Sequence, residues 1–331
     1  MTWNKLKCNF RELQLVGTLS GGQSFRWTHN KENNEWIGVF SKTVWKLQEN
    51  DDGLQYQVVG SLHNKKTKLK SKSKKENVDF KKLLEDYFRL DMNLGNYYKE
   101  WSEKDELFRT ACQQFYGIRM LRQEPVENLF SFICSQNNHI SRISTMVEKL
   151  CTHYGEMICE YEGTTYYAFP EVEKLASQEV ETDLRNLGFG YRAKFIQKSA
   201  SQIVEWGGVE WFNSLQDMKY KDAKVELMKL HGIGPKVADC ICLMSLNHLE
   251  ALPVDTHVYQ IAAHNYLPHL RGKKSVTDKM YTEIGDHFRM LYGDMAGWAH
   301  TVLFCADLKK FQQNEDSEKD SSKPKKKRKK L

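Results

Sequence analysis

The sequence predicts an α+β fold, an antiparallel sheet followed by a helical body. Two patterns carry this. Residues 10 to 60 hold short β-branched and aromatic runs split by turn residues. From residue 78 the apolar period becomes helical. At 331 residues the chain can bury a large core. We divide it into an N-terminal antiparallel sheet domain with helices over 1–110, a helical domain over 111–311 and a disordered basic tail over 312–331.

The elements follow in chain order. Gln23–Trp27, Trp36–Phe40, Thr43–Gln48 and Leu54–Val59 read as strands. The turn-rich His29–Asn34 and Glu49–Gly53 separate them, as in an antiparallel meander. Entering the first strand, Gly21 and Gly22 mark either a bend or bulge, or a close approach of backbone to a ligand. Residues 61–76 are rich in lysine and serine and read as a disordered, solvated insertion. Val78–Leu90 is amphipathic. Ser102 and Asp105 have the spacing of a capping box that opens a helix to about Phe115. Pro125 opens the next helix, Val126 to about Ser135, and Ile140–Tyr154 forms another, stopped by Gly155. Pro170, Gly188, Gly207 and Gly208 punctuate further short helices, and the last two fall near Thr277–Tyr292 and Asp294–Leu308.

Composition narrows the function classes. The chain is 40% hydrophobic and 28% charged, with no run that could span a membrane and no secretory or transit signature at its start. The net charge of +6 is concentrated. Residues 65–75 hold seven lysines and no acid, and residues 312–331 hold eight basic and four acidic residues. The rest is net acidic, so any affinity for nucleic acid must come from a local patch. None of the eight cysteines forms a Cys-x-x-Cys pair, and Cys240 and Cys242 point apart on a helix. Reduced intracellular thiols and no structural zinc are expected.

Residues 225–257 organise the chain. They read as helix, tight hairpin, helix, then a return to Pro253-Val254-Asp255-Thr256-His257. Asp222 suits the N-cap of the first helix, whose apolar positions are Val225, Leu227, Met228 and Leu230. Gly232 and Gly234 suit the positive φ angles of the hairpin. Pro235 suits the first position of the second helix, where its missing amide costs nothing. The free amides of such a helix start favour an anion, and phosphate is the obvious one. Lys236 lies in that first turn, at the positive end of the dipole, where a cation is disfavoured. Desolvation there would make it a neutral, nucleophilic amine. Cys240 and Met244 follow on the same face. The second helix, about a dozen residues, rises roughly 18 Å and the extended return covers roughly 23 Å, which brings Asp255 beside Lys236. Singly, each feature has a plainer reading: a helix stop, a solvated lysine, an N-cap, two core residues. Together they place an amine, a carboxylate and a phosphate cradle at one point.

This stretch resembles the helix-hairpin-helix DNA glycosylases, and more narrowly the eukaryotic 8-oxoguanine DNA glycosylases. The resemblance implies that Lys236 is the Schiff-base nucleophile and Asp255 its activating carboxylate. Four further stretches match the same family, so the likeness extends over about residues 10–310. Gly22-Gln-Ser-Phe-Arg-Trp27 resembles the segment whose glycine carbonyl, here that of Gly22, accepts N7–H of 8-oxoguanine. Guanine has a bare N7 acceptor there and would be repelled. Phe130 to Arg142 resembles the asparagine-rich helix end, and Leu187 to Arg192 the wedge loop. By that likeness Asn137 and Tyr191 fill the hole left by a flipped base, and Arg142 and Arg192 read the orphaned cytosine. Ala296 to Phe304 resembles the helix closing the base pocket, with Phe304 stacking one face of the purine and Cys240 the other. Met244 joins the base-recognition set. This chain departs from the family at His300, where glutamine is usual, and at His139, where asparagine is usual.

The resemblance implies an N-terminal antiparallel sheet packed on a two-lobed helical helix-hairpin-helix body, with the site between lobes. It implies base flipping, attack of Lys236 on C1′, a Schiff base and β-elimination on double-stranded DNA containing 8-oxoguanine opposite cytosine. Hairpin amides near Gly232, Gly234 and Val237, with His257, would hold phosphates. No catalytic metal or organic cofactor is implied, although the hairpin carbonyls could seat a structural monovalent or divalent cation. An iron–sulfur cluster is not expected, because only Cys305 follows Asp255. A monomer without membrane contact is expected. Pro324-Lys-Lys-Lys-Arg-Lys329 matches a basic nuclear import signal. Two other functions stay open: a glycosylase for another oxidised or alkylated purine, and a non-catalytic damaged-DNA-binding module.

Overall fold

The N-terminal half forms a meander because alternate residues in its strands are large and apolar, so one face must be covered. In the computed structural model, which describes residues 2–9, 11–50, 53–64, 78–273 and 275–321, this face carries Trp36, Trp45, Leu47, Leu54 and Tyr56. The elements are β1 (Asn4–Leu6), α1 (Leu15–Ser20), β2 (Trp27–Asn30), β3 (Glu35–Phe40), β4 (Thr43–Asn50) and β5 (Gly53–Ser61). The strands lie in the order β1-β5-β4-β3-β2, all neighbours antiparallel, with Trp36 opposite Leu47 and a bulge at Val44/Trp45. Helix α2 (Phe80–Tyr87), capped by Asp79, closes the core with Leu84, Tyr87 and Phe88. Each such burial stabilises by about 1.5–3 kcal/mol.

Two corrections arise here. Gln23–Arg26 is irregular, and only Trp27 of the expected first strand is in β2. The Gln23 side chain explains this. Its amide donates to the Arg119 carbonyl (2.8 Å) and accepts from Leu121 N (2.9 Å), so it pins the loop to a segment far along the chain. The short helix α1 also falls within a region read as strands alone.

Two groups of helices make the body. One comprises α5 (Pro125–Ser135), α6 (Ile140–Tyr154), α7 (Val172–Leu175), α8 (Val180–Asn186), α9 (Arg192–Glu205), α10 (Val209–Gln216), α11 (Tyr220–Leu227) and α12 (Pro235–Met244). The other comprises α3 (Leu94–Lys104), α4 (Glu106–Ala111), α13 (Thr256–Asn265), α14 (Asp278–Tyr292) and α15 (Ala296–Ser321). This is the α+β architecture that the sequence predicts. Although α3 and α4 precede residue 111, their Leu94, Trp101 and Phe108 join the helical core. A hairpin missed by the sequence reading, β6 (Met157–Tyr161) with β7 (Thr164–Tyr167), packs Ile158 against Val39 and Val44 on the other face of the sheet.

Other expectations are corrected in detail. Ser102 opens no helix. It lies inside α3, and Asp105 is itself the N-cap of α4, accepting from Leu107 N at 2.9 Å. Asp222 lies in the first turn of α11, whose N-cap is Lys219. Val225 and Met228 are exposed, so the buried face of α11 and its exit is Ala223, Leu227 and Leu230. Helix α15 continues to Ser321, so residues 312–321 are helical backbone and not disordered tail. Ser61 ends β5 and Leu62–Asn64 form a 3-10 turn, which is order at the start of the supposed insertion. Its remainder, 65–76, and the import-like run in the tail lie outside the described residues. None of the eight cysteines is in a disulfide.

Candidate active site

The hairpin joining α11 to α12 is built by anchors on both sides. Leu227, Leu230 and Ile233 are buried. Gly232 has φ +82, and a Cβ there would lie 2.4 Å from the Phe195 ring, so glycine is required twice over. Gly234 differs from expectation: its φ of −99 and ψ of 179 are extended, and it serves as the N-cap of α12. Nothing stands within 4 Å of where its side chain would be. No side chain caps α12, so its first amides have no side-chain acceptor, the arrangement that admits a phosphate. Pro235 takes the first helical position as expected, and Val237 sits in the same turn with its side chain in the core.

Lys236 projects from that turn into a half-buried niche. Its Nζ stands 4.8 Å from the Phe132 ring centre and 3.4 Å from Ser135 Oγ, both on α5. Cys240, one turn on, is buried, and burial pushes its thiol up to about 12. The Lys236 charge pulls that value down, and Asp239 and Asp255 raise it. The amine and the carboxylate thus act on one buried sulfur. Asp255 caps α13, its carboxylate accepting from Val258 N at 2.9 Å. Lys236 and Asp255 thus stand at the starts of two helices, and the charges of both bear on Cys240.

The pocket wall is assembled from distant segments. Gly22 has φ +79, and a Cβ on it would lie 3.8 Å from Phe304 on α15. The same loop is tied to α12 through Gln123, whose side chain donates to the Gln23 carbonyl (2.8 Å) and touches Met244 Sδ (3.5 Å). His257 lies edge-on to Phe304 at 6.0 Å and 3.5 Å from the Asp307 carboxylate. His300 is 3% exposed, packed edge-on against Phe288, and its Nε2 has no partner. Burial pushes it down to about 4, against the pull of Asp255.

The opposite side is the turn between α5 and α6. Asn137 is exposed with φ +47, and His139 caps α6. Tyr191 is 45% exposed. Its hydroxyl donates to the Gln136 carbonyl (3.2 Å), and the Arg192 guanidinium lies over its ring at 4.7 Å. Arg192 is buried, with Nε donating to the Gln136 carbonyl (3.1 Å) and Nη2 to the Asn137 carbonyl (3.1 Å). In this structure it holds the asparagine turn. Arg142 is exposed on α6.

Gln136, which sequence reasoning passed over, is the joint between these parts. Its side chain donates to the Gly232 carbonyl at 2.8 Å, so wedge loop, asparagine turn and hairpin are fastened together. The His231 carbonyl likewise accepts from Ser199 at 2.8 Å. These two hairpin carbonyls thus each accept one hydrogen bond. No group of three or more acidic, histidine or cysteine side chains suited to a metal occurs among the described residues.

Comparison with known proteins shows the family of the chain. Residues 5–129 match the model of the 8-oxoguanine DNA glycosylase N-terminal domain, and residues 130–284 that of the HhH-GPD superfamily base excision DNA repair proteins. An N-glycosylase/DNA lyase of Saccharomyces cerevisiae is 37% identical, over 92% of this chain and 86% of its own. One from Arabidopsis thaliana is also 37% identical, over 92% and 80%. Among solved structures, an 8-oxoguanine glycosylase/lyase of Clostridium acetobutylicum, in complex with duplex DNA containing cytosine opposite 8-oxoG, superposes with a TM-score of 0.75. It is 30% identical over 91% of this chain and 93% of its own.

Proposed function

The chain belongs to the 8-oxoguanine DNA glycosylases of the HhH-GPD superfamily, and we propose from that premise that it is a bifunctional glycosylase and AP lyase. Its substrate is duplex DNA with 8-oxoguanine opposite cytosine. One observation carries the reading: the buried Cys240 feels the charges of both Lys236 and Asp255, which stand at the starts of α12 and α13, and no side chain caps α12.

The residues divide the work. Amides near Gly232, Gly234 and Val237, with His257, grip the backbone phosphates. Unstacking the damaged nucleotide costs a few kcal/mol, which these contacts and the wedge must offset. Tyr191 and Asn137 enter the vacated stack, and Arg142 and Arg192 face the cytosine. Arg192 reaches it by releasing part of its hold on the turn. The base enters between Phe304 and Cys240, with Met244 beside them and the Gly22 carbonyl accepting N7–H. Asp255 stabilises the positive sugar as the glycosidic bond breaks. The Lys236 amine bonds to C1′ and 8-oxoguanine leaves with the bond electrons; loss of the amine proton and opening of the C1′–O4′ bond, whose oxygen takes a proton, give the Schiff base, from which β-elimination expels the 3′ phosphate. The scheme draws on no organic or redox cofactor. The enzyme works as a monomer, and the Pro324–Lys329 run directs it to the nucleus.

A second reading, another oxidised or alkylated purine, is favoured by one observation: the orphaned Nε2 of His300 at a position where the family resemblance places glutamine. Neutral histidine offers one donor and one acceptor with different reach. Single-turnover cleavage of a panel of lesion duplexes tests both. The reading expects fastest excision of 8-oxoguanine opposite cytosine. A stronger preference for another base would replace the assignment.

A further inference from the structure

Asp239 lies three residues after Lys236 in α12 and is fully buried. Three donors converge on it. The Tyr220 hydroxyl reaches Oδ1 (2.7 Å), and Lys224 Nζ (2.8 Å) and the Tyr281 hydroxyl (2.5 Å) reach Oδ2. Burial pushes the Asp239 carboxyl up, and Lys224 and the two tyrosines oppose it. So far this is the pairing any buried carboxylate needs.

The two tyrosines differ in one respect. Tyr281 on α14 not only donates to Asp239; its oxygen also accepts the N–H of Val254 at 3.1 Å. Val254 immediately precedes Asp255. A chain of bonds therefore runs from Val254 N–H to the Tyr281 hydroxyl to Asp239. At one end it is covalently one residue from Asp255, and at the other it is one helical turn from Lys236. The Tyr220 hydroxyl, among the described residues, has its hydrogen bond to Asp239 and none to the segment before Asp255.

We propose that Tyr281 is a positioning residue that sets the separation of Asp255 from Lys236, acting through Asp239 and Val254 and not by contact with reacting atoms. This rests on the reading that Lys236 and Asp255 are the reacting pair. Without the hydroxyl, Val254 N loses its acceptor, and the segment entering α13 loses its tie to α12. The rest of the Tyr281 setting survives in phenylalanine, since Lys224 Nζ lies 4.6 Å from the Tyr281 ring centre.

The test compares Tyr281→Phe with Tyr220→Phe in the full chain. Both remove one hydroxyl from the same carboxylate, and Tyr281→Phe also strands the Val254 N–H, so both lower the melting temperature and Tyr281→Phe lowers it more. Single-turnover excision from an 8-oxoguanine:cytosine duplex separates them. Tyr281→Phe slows excision roughly ten- to a hundredfold while duplex affinity stays within about twofold, and Tyr220→Phe keeps the wild-type rate. Equal excision rates for the two variants overturn the proposal. So does a rate loss in Tyr281→Phe that is matched by an equal loss of affinity. A wild-type protein that leaves the duplex intact overturns the underlying reading as well.

Discussion

At the scale of single residues, the groups legible in the sequence were those whose role is set by near neighbours. Pro235 opens a helix, Asp255 caps one, and Lys236 occupies a first turn; each needs only the residues beside it. Gln23 and Gln136 were not legible as fasteners, because their amides bond backbone groups 96 residues away in each case. No local pattern encodes such a bond. Glu49 is another case. It accepts from Leu15 N at 2.6 Å, and burial pushes its carboxyl up to about 7. A carboxyl raised on folding stabilises fully below its unfolded value, near 4.3, and that contribution is lost as pH rises through about 7. Glu49→Gln removes this dependence. Urea unfolding at pH 5 and pH 8 therefore shows the variant gaining on the wild type by up to about 3 kcal/mol at the higher pH. A difference independent of pH would contradict the assignment.

At the scale of elements, α6 and α14 match their expected bounds to within a residue, whereas α15 runs past its expected end at Leu308 to Ser321. Helix α6 runs Ile140–Tyr154, and α14 runs Asp278–Tyr292 behind its Thr277 cap. Errors collected where tertiary contacts override local signals. The Gln23–Arg26 stretch has strand-like residues but is held as a loop, and Asp105 caps its own helix instead of serving a box begun at Ser102. The hairpin was identified correctly, yet its two glycines are not equivalent. Gly232 carries both the positive φ and the close approach of Phe195, while Gly234 is extended and faces open space. Gly232→Ala should therefore cost about 1–3 kcal/mol of stability, and Gly234→Ala within about 0.5 kcal/mol. Chemical denaturation of the two variants checks this. Similar losses from both would mean that the hairpin tolerates either conformation.

At the scale of the whole molecule, the α+β class and the order of sheet then helices followed from periodicity alone. The seam did not. Leu94, Trp101 and Phe108 precede residue 111 yet pack in the helical core, because burial follows space and not chain order. The site lies where this assembly brings the end of α5 and the starts of α12 and α13 to the Phe304 stretch of α15, with the Gly22 loop from the N-terminal half completing it. The charge pattern fits the same picture. With the body net acidic, grip on DNA falls to a few oriented amides and side chains near the hairpin, and rigidity there matters more than overall attraction. The central claim is that Lys236, held there beside Asp255, forms a covalent bond to the sugar. Borohydride trapping on an 8-oxoguanine:cytosine duplex, with wild type and Lys236→Gln, tests it most directly. The account predicts a covalent adduct with the wild type and none with the variant. Trapping by both would place the nucleophile elsewhere and reduce the hairpin to a phosphate clamp, and tight binding by both without any adduct would make the protein a binding module.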